Sequence, residues 1–463
     1  MPKKADGQSG ASRVAPSAQT DNDMDQRTEQ ETSQPPCDFN AACRQRLATG
    51  VVGALIVAVG AVLLTVVRTL AHPSIPTRTE YVWLLILAFV AMAVIEVFGF
   101  RIYRIQFDFS LAREVTSATH HAVFYRMAAL LITLALAWGI YWVLGEYGLR
   151  FSGLLSPDFS ESWYAPFFRF FVITTVALPI LAVPYFYLCS VFGKWTDEED
   201  ELLKLWAGYK ACLRLRKPDP GFRAAVRSLC VKLFFVPVMT VFLVNNAEIL
   251  EKNLLRFLAG PWVWDVGFAG RLFSVLYEGM FFVDVNIAVL GYVCCFRILD
   301  THIRSAEPTL FGWAVALACY PPFNTRITGH YLAGPGNAHS WAGILSGSPW
   351  LYCLVGAAIL LLVWVYLYST LAFAFRFSNL THRGIICRGP YAWVRHPAYA
   401  AKNLSWWLLH LPFLASPTAC ARLLLLNVIY VCRAITEERH LSRDPVYREY
   451  MKRVKWRFIP GVI

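Results

Sequence analysis

Charged residues make up only 16% of this 463-residue chain, against roughly 25% in an ordinary soluble domain. A chain this long with so little charge and 57% hydrophobic residues does not read as a soluble enzyme. Its twelve cysteines include no CxxC pair, and Cys189, Cys294, Cys295, Cys319 and Cys353 sit inside apolar runs, so neither a zinc site nor a disulfide framework is indicated. They read as small buried hydrophobes. Gly334-Pro335-Gly336 follows no strand and lies in no βαβ unit, which excludes a dinucleotide loop and a soluble Rossmann-type domain. Residues 1–45 are rich in Ser, Gln, Asp, Thr, Pro and Ala and nearly devoid of large apolar side chains. They read as a disordered tail, and the lack of a compact apolar stretch at their start argues against a cleaved signal peptide.

What is present is apolar helix. Eight candidate spans are expected at 47–70, 81–100, 124–144, 166–192, 231–250, 272–296, 308–322 and 350–375, each near the roughly 20 residues that cross the hydrocarbon core. The seventh is the shortest and ends in Pro321-Pro322. The fold class is therefore all-α: a polytopic helical membrane protein. It divides into the tail, a multi-span region at 46–349 and a carboxyl-terminal unit at 350–463.

The net charge of +12 lies in short connections between apolar runs rather than along one soluble face, so the bilayer explains it and nucleic acid does not. Lys and Arg concentrate in the tail and around 101–126, 193–230 and 297–307. By the positive-inside rule these share the cytoplasmic side, and an even number of spans returns the chain there at Arg376. Both termini are expected in the cytoplasm.

Beyond Arg376 a shorter apolar pair, 403–415 and 418–432, is broken by Pro412 and Ser416-Pro417. Each half is near the lower limit for spanning, so a tight helical hairpin is expected. It would bring Arg388-Gly389-Pro390-Tyr391-Ala392-Trp393-Val394-Arg395-His396-Pro397-Ala398-Tyr399 back towards Arg433-Ala434-Ile435-Thr436-Glu437-Glu438-Arg439-His440-Leu441. Such a cluster of Arg, His, Tyr and Glu between apolar runs needs partners or a wet pocket.

These segments resemble the isoprenylcysteine carboxyl methyltransferase and phospholipid N-methyltransferase families. The shared pattern is G-x-Y-x-x-x-R-H-P-x-Y, a hairpin, then E-E-x-x-L and a Tyr-rich tail ending near Pro. The chain supplies Gly389, Tyr391, Arg395, His396, Pro397 and Tyr399, then Glu437, Glu438 and Leu441, then Tyr447, Tyr450 and Ile459-Pro460. Ala401 stands where the family often has Gly. The resemblance covers about 110 residues. It implies S-adenosylmethionine as cofactor, held by Arg383, Gly384, Ile385 and Ile386, by Tyr391, by His396, Pro397, Ala398 and Tyr399, and by Arg433 with Glu437. It also implies a lipid-like or prenylated substrate at the bilayer.

The residue types suit that cofactor, whose amino group, carboxylate and sulfonium need an anion, a cation and aromatic walls. Arg433 and Glu437 stand four apart, on one helix face, where they can grip a zwitterion or pair with each other. Arg395 can serve the carboxylate as well as Arg433. A carboxylate acceptor needs no general base; an amine must lose a proton, and His396 is the nearest candidate. Catalytic work is accordingly expected of His396 and Arg395. Two other readings stand beside this one. A membrane reductase resembling the sterol reductases would use NADPH, and Trp456 to Gly461 fits its end, though Pro397-Ala398 does not fit its motif. A transporter is supported only by the spans and by the intramembrane acids Glu96, Glu278 and Asp284. Labelled-cofactor binding separates the three.

Overall fold

A computed structural model describes residues 46–462, apart from 72–76, 156–160, 322, 324–340 and 412–416. The expected disordered tail and the hairpin break at Pro412 and Ser416 lie outside these residues.

The regular structure of the described residues is helical except for two two-residue strands. The α-helices of eight residues or more are α1 (Leu47–Ala71), α2 (Thr77–Val94), α3 (Ser117–Leu155), α4 (Glu161–Phe192), α5 (Glu201–Leu213), α6 (Pro220–Ala259), α7 (Val266–Val293), α8 (Leu310–Leu317), α9 (Pro349–Phe373), α10 (Pro397–Leu409), α11 (Pro417–Leu441) and α12 (Pro445–Arg453). Their starts follow local chemistry. Asp200, Asp219, Asp265 and Asp444 each cap a helix by accepting from main-chain N–H groups of its first turn. Proline occupies the first turn of α6, α9, α10 and α12, where its missing N–H costs nothing.

Among the described residues six helices are long and apolar enough to cross a membrane, those at 47–69, 117–143, 171–192, 220–259, 266–293 and 349–376, which leaves the expected count of eight unconfirmed. The expected span at 81–100 is helical over Thr77–Val94 and continues as a π-turn at Ile95–Gly99 around the fully buried Glu96, with Trp83–Gly99 as its apolar stretch among the described residues. The expected span at 308–322 shrinks to the eight residues of α8, about 12 Å of helix at 1.5 Å per residue. It packs on α11 instead. The thirteen residues of α10 reach about 20 Å, short of the roughly 30 Å hydrocarbon core.

The main core joins α1, α2, α6, α7 and α9 around Phe235, Phe282, Ile287 and Phe375. Close approach explains the small residues of α1: a Cβ on Gly50 would lie 2.1 Å from the Leu371 carbonyl oxygen, and one on Gly53 would lie 2.4 Å from the Met92 sulfur. Helices α3, α4 and α5 pack beside this core, pinned by Arg126, which donates to Asp200 at 2.9 Å and to Ser190 at 2.6 Å.

Four basic connections meet at one end of the bundle. Asp108 N–H donates to the Phe192 carbonyl and Lys194 N–H to that of Gln106, each at 2.9 Å. Arg297 donates to the Glu199 carbonyl at 2.6 Å, and Arg46 to that of Leu299 at 2.9 Å. The same end carries the short antiparallel pair β1 (Ser305–Ala306) and β2 (Thr381–His382), with Ser305 opposite His382. The reading of all cysteines as unpaired is corrected at one position, since Cys387 is disulfide-bonded.

Candidate active site

At this end of the bundle α10 and α11 stand side by side, and the loop after α9 turns beneath them. Between them lies a cavity with about 160 Å³ of water-accessible space, several times the roughly 10–15 Å³ that one water needs. Its wall includes Gly384, Ile385, Ile386, Tyr391, Arg395, His396, Ala398, Tyr399, Arg433 and Glu437. The two polar segments, some forty residues apart, do converge.

The paired acids separate into different environments. Glu437 keeps about a quarter of its side chain exposed. Its Oε1 accepts from the Tyr399 hydroxyl and, at 3.2 Å, from Arg433 Nε. Its Oε2 has only His396 Nδ1 nearby, at 3.8 Å. Glu438, one residue on, is buried and accepts from Arg395 Nε at 2.8 Å, His396 Nε2 at 3.1 Å, and Arg457 Nε and a terminal nitrogen at 3.1 and 2.8 Å. Burial raises its pKa, but the hydrogen bonds from His396 and Arg457 and the charges around it outweigh burial and hold the carboxyl well below the usual range.

Arg433 pairs with Glu437, and it also donates to Asn379 Oδ1. The Asn379 amide nitrogen in turn donates to Tyr292 at 2.6 Å and Tyr320 at 2.9 Å. The guanidinium lies 5.0 Å from the centre of the Tyr399 ring. The His396 ring stacks on Tyr399, 5.4 Å between centres and 10° between planes.

Two expected site residues lie off the cavity wall. Arg383 is buried and donates to the carbonyls of Gly291 at 2.5 Å, Thr301 at 2.7 Å, Cys294 at 2.9 Å and Phe377 at 3.1 Å. It shapes the loop rather than facing the space. Pro397 starts α10 and faces a second, largely apolar cavity on the other side, with Trp393 and Phe458. Gly384, beside Arg383, has φ +103°, and a Cβ there would lie 2.8 Å from an Arg376 nitrogen.

Other wall residues come from outside the motifs: Glu307, Tyr320, Tyr366, Asn379 and Lys402. Glu307 accepts from Arg439 at 2.8 Å and from Thr309 N–H at 3.1 Å, and His440 accepts from or donates to Ser305 at 2.9 Å. Tyr366 donates to Asp284 at 2.7 Å. The only sequence signal for any of them was the cost of Asp284 in an apolar run.

The carboxyl-terminal tail closes the arrangement. Arg395 N–H donates to the Trp456 carbonyl and His396 N–H to that of Arg457, each at 2.9 Å. The Arg395 guanidinium adds the carbonyls of Val454 and Lys455 at 3.0 and 2.9 Å.

Residues 350–443 match the isoprenylcysteine carboxyl methyltransferase family. The matched stretch holds both halves of the cavity's polar wall and the hairpin between them. It is a family of methyltransferases that generally use S-adenosylmethionine, and with the apolar helices the match implies a membrane methyltransferase. The 349 residues ahead of the match are outside it. No curated protein and no solved structure matches the chain.

Proposed function

We propose that this chain is an integral-membrane, S-adenosylmethionine-dependent methyltransferase acting on a lipid-like or prenylated acceptor. The observation that carries the reading is the cavity itself: within the family-matched stretch, one carboxylate oxygen of Glu437 has no hydrogen bond among the described residues and stands beside a guanidinium and stacked aromatic rings.

That donor set fits the cofactor. Glu437 Oε2 can accept from an amino group, Arg433 can turn from Glu437 to a carboxylate, and Tyr391, Tyr399 and the Gly384–Ile386 main chain can wall the remainder. When bound, the cofactor supplies an electrophilic methyl group on sulfur. The protein's part is to align the acceptor with that group and to exclude water, which by positioning alone contributes several kcal/mol, of the roughly 7–11 that ideal alignment reaches. Arg395 is spent on Glu438 and on the carbonyls of Val454, Lys455 and Trp456 in the tail, so it holds the wall in place. His396 has one ring nitrogen on Glu438 and the other towards the cavity. It can take a proton there if the acceptor is an amine, and is not needed as a base if the acceptor is a carboxylate. The cofactor would enter from the side of the basic connections, whose charge supports a cytoplasmic orientation, and the acceptor would arrive from the lipid.

The test is calorimetric titration of the purified protein with S-adenosylhomocysteine and, separately, NADPH. S-Adenosylhomocysteine is expected to bind, NADPH is not, and Glu437→Gln should weaken the first at least tenfold. NADPH binding alone, or an unchanged affinity in Glu437→Gln, would falsify the site assignment.

A further inference from the structure

Two cations on the cavity wall differ in how their charges are answered. Arg433 has Glu437 at 3.2 Å and the Asn379 carbonyl oxygen. Lys402 has no such partner. It stands three residues after Tyr399, on the same face of α10, and both line the cavity. Its ammonium lies over the Tyr366 ring at 5.0 Å and the Trp406 ring at 5.3 Å. Among the described residues it makes no hydrogen bond and no ion pair. Asp284 is the acid whose charge reaches it; its Oδ2 accepts from the Tyr366 hydroxyl at 2.7 Å, and neither of its oxygens comes within ion-pair distance of Lys402.

An ammonium between apolar helices is expensive unless answered. Two aromatic faces supply part of what water would give it, and the open space in front of it leaves room for an anion. The methyl donor adds a sulfonium to the same cavity. An acceptor that brings negative charge to Lys402 is drawn in by both cations, while a purely cationic one is repelled.

We propose that Lys402 Nζ is the anchor for an anionic oxygen group of the acceptor, a carboxylate or a phosphodiester. This deepens the methyltransferase reading and rests on it. Where the anchored group is a carboxylate that itself reacts, an O–CH3 bond forms as the S–CH3 bond breaks. The carboxylate and sulfonium charges cancel, and no proton moves. Where it is a phosphodiester, the group is a handle left unmodified: a neighbouring amine forms an N–CH3 bond as the S–CH3 bond breaks and gives up a proton to His396 Nδ1.

The test uses the full-length protein in lipid nanodiscs, with Lys402→Gln and Lys402→Arg beside the wild type. The probes are S-adenosylhomocysteine, a small farnesylated cysteine with a free carboxylate, and phosphatidylethanolamine. Lys402→Gln is expected to bind S-adenosylhomocysteine within twofold of the wild type, while the KM for the acceptor rises at least tenfold with a smaller change in kcat. Lys402→Arg should recover most of the loss. Methylation of the farnesylated cysteine assigns a carboxylate, and methylation of phosphatidylethanolamine assigns a phosphodiester. An unchanged KM in Lys402→Gln overturns the proposal. So does loss of S-adenosylhomocysteine affinity in that variant, which would place Lys402 in the cofactor half, and so does a wild type that binds S-adenosylhomocysteine but methylates neither acceptor. A wild type that does not bind S-adenosylhomocysteine overturns the underlying reading as well, and the first titration tells that failure apart.

Discussion

Glu437 and Glu438 are identical in type and adjacent in sequence, yet their surroundings give them opposite work. Glu438 accepts from two guanidinium groups and an imidazole at once, tying α11 to the Arg395-His396 corner and to Arg457 of the tail. Removing one member of such a buried group leaves the others uncompensated, typically about 3–5 kcal/mol, with the exposed edge at Arg457 reducing the figure here. Glu438→Gln should therefore lower the thermal midpoint by several degrees, whereas Glu437→Gln should leave it within about one degree and act on cofactor affinity. Thermal unfolding of both variants in the same detergent checks this; equal destabilisation would mean that the two acids share one structural role. The sign of the pH effect follows from the depressed carboxyl. Its stabilisation is complete above the ordinary value of 4.5 and is lost as the pH falls below it.

At the scale of elements, the joint between α8 and α11 adds a second pH window. His440 lies beside Glu307 and bonds Ser305 of β1. Burial lowers its pKa from 6.5 to about 4, against the pull of Glu307. A histidine held neutral when folded but free to charge when unfolded gives stability that is full above pH 6.5 and falls as the pH drops towards 4, by a total on the order of 3 kcal/mol. His302, lowered by burial to about 3, adds to the same slope. His440→Gln keeps a hydrogen-bonding group and cannot titrate, so its unfolding midpoint should change less than that of the wild type between pH 7 and pH 4.5. Parallel curves would rule the joint out as a source of acid sensitivity.

This joint also marks how far the sequence could be read. The hairpin's two polar segments were legible because their spacing is regular and their residue types are costly in lipid. The long apolar helices were legible by length. The α8 segment was not: Leu310–Leu317 is as apolar as a span, and only its neighbours Glu307 and Thr309, which hold its start, show that it ends against α11. Arg383 was placed by its offset from Tyr391, and an offset does not say that its guanidinium turns to four carbonyls. Asn379 and Lys402 are single polar residues with no partner at a fixed spacing, so their meaning appears only when Arg433 and Tyr366 are brought beside them.

Taken as a whole, the molecule does not treat the family-matched stretch as a separate body. Ser305 and Ala306 pair with His382 and Thr381, and Arg383 reads the carbonyls of 291, 294 and 301. The loop on the cavity wall is thus laid on the connection after α7. Asp300 is the charge centre of that connection. It accepts from Arg46 at 3.3 Å, Gln106 at 3.0 Å, Arg304 at 3.5 Å and Arg376, so it joins the starts of α1 and β1 to the end of α9. Arg376 in turn leaves no room for a side chain at Gly384 on the cavity wall. Asp300 has φ +49°, a left-handed conformation that asparagine adopts as readily, so Asp300→Asn removes the charge with little backbone penalty. The variant leaves three guanidinium groups without their shared carboxylate, and stability should fall by about 3 kcal/mol or more. Arg376 then loses its anchor and crowds Gly384, so S-adenosylhomocysteine affinity should fall at least fivefold although Asp300 does not line the cavity. Thermal unfolding and calorimetric titration of the same preparation measure both effects. A variant destabilised but unchanged in affinity would show that the amino-terminal helices support the site only as a scaffold, without acting on the geometry of the loop on the cavity wall.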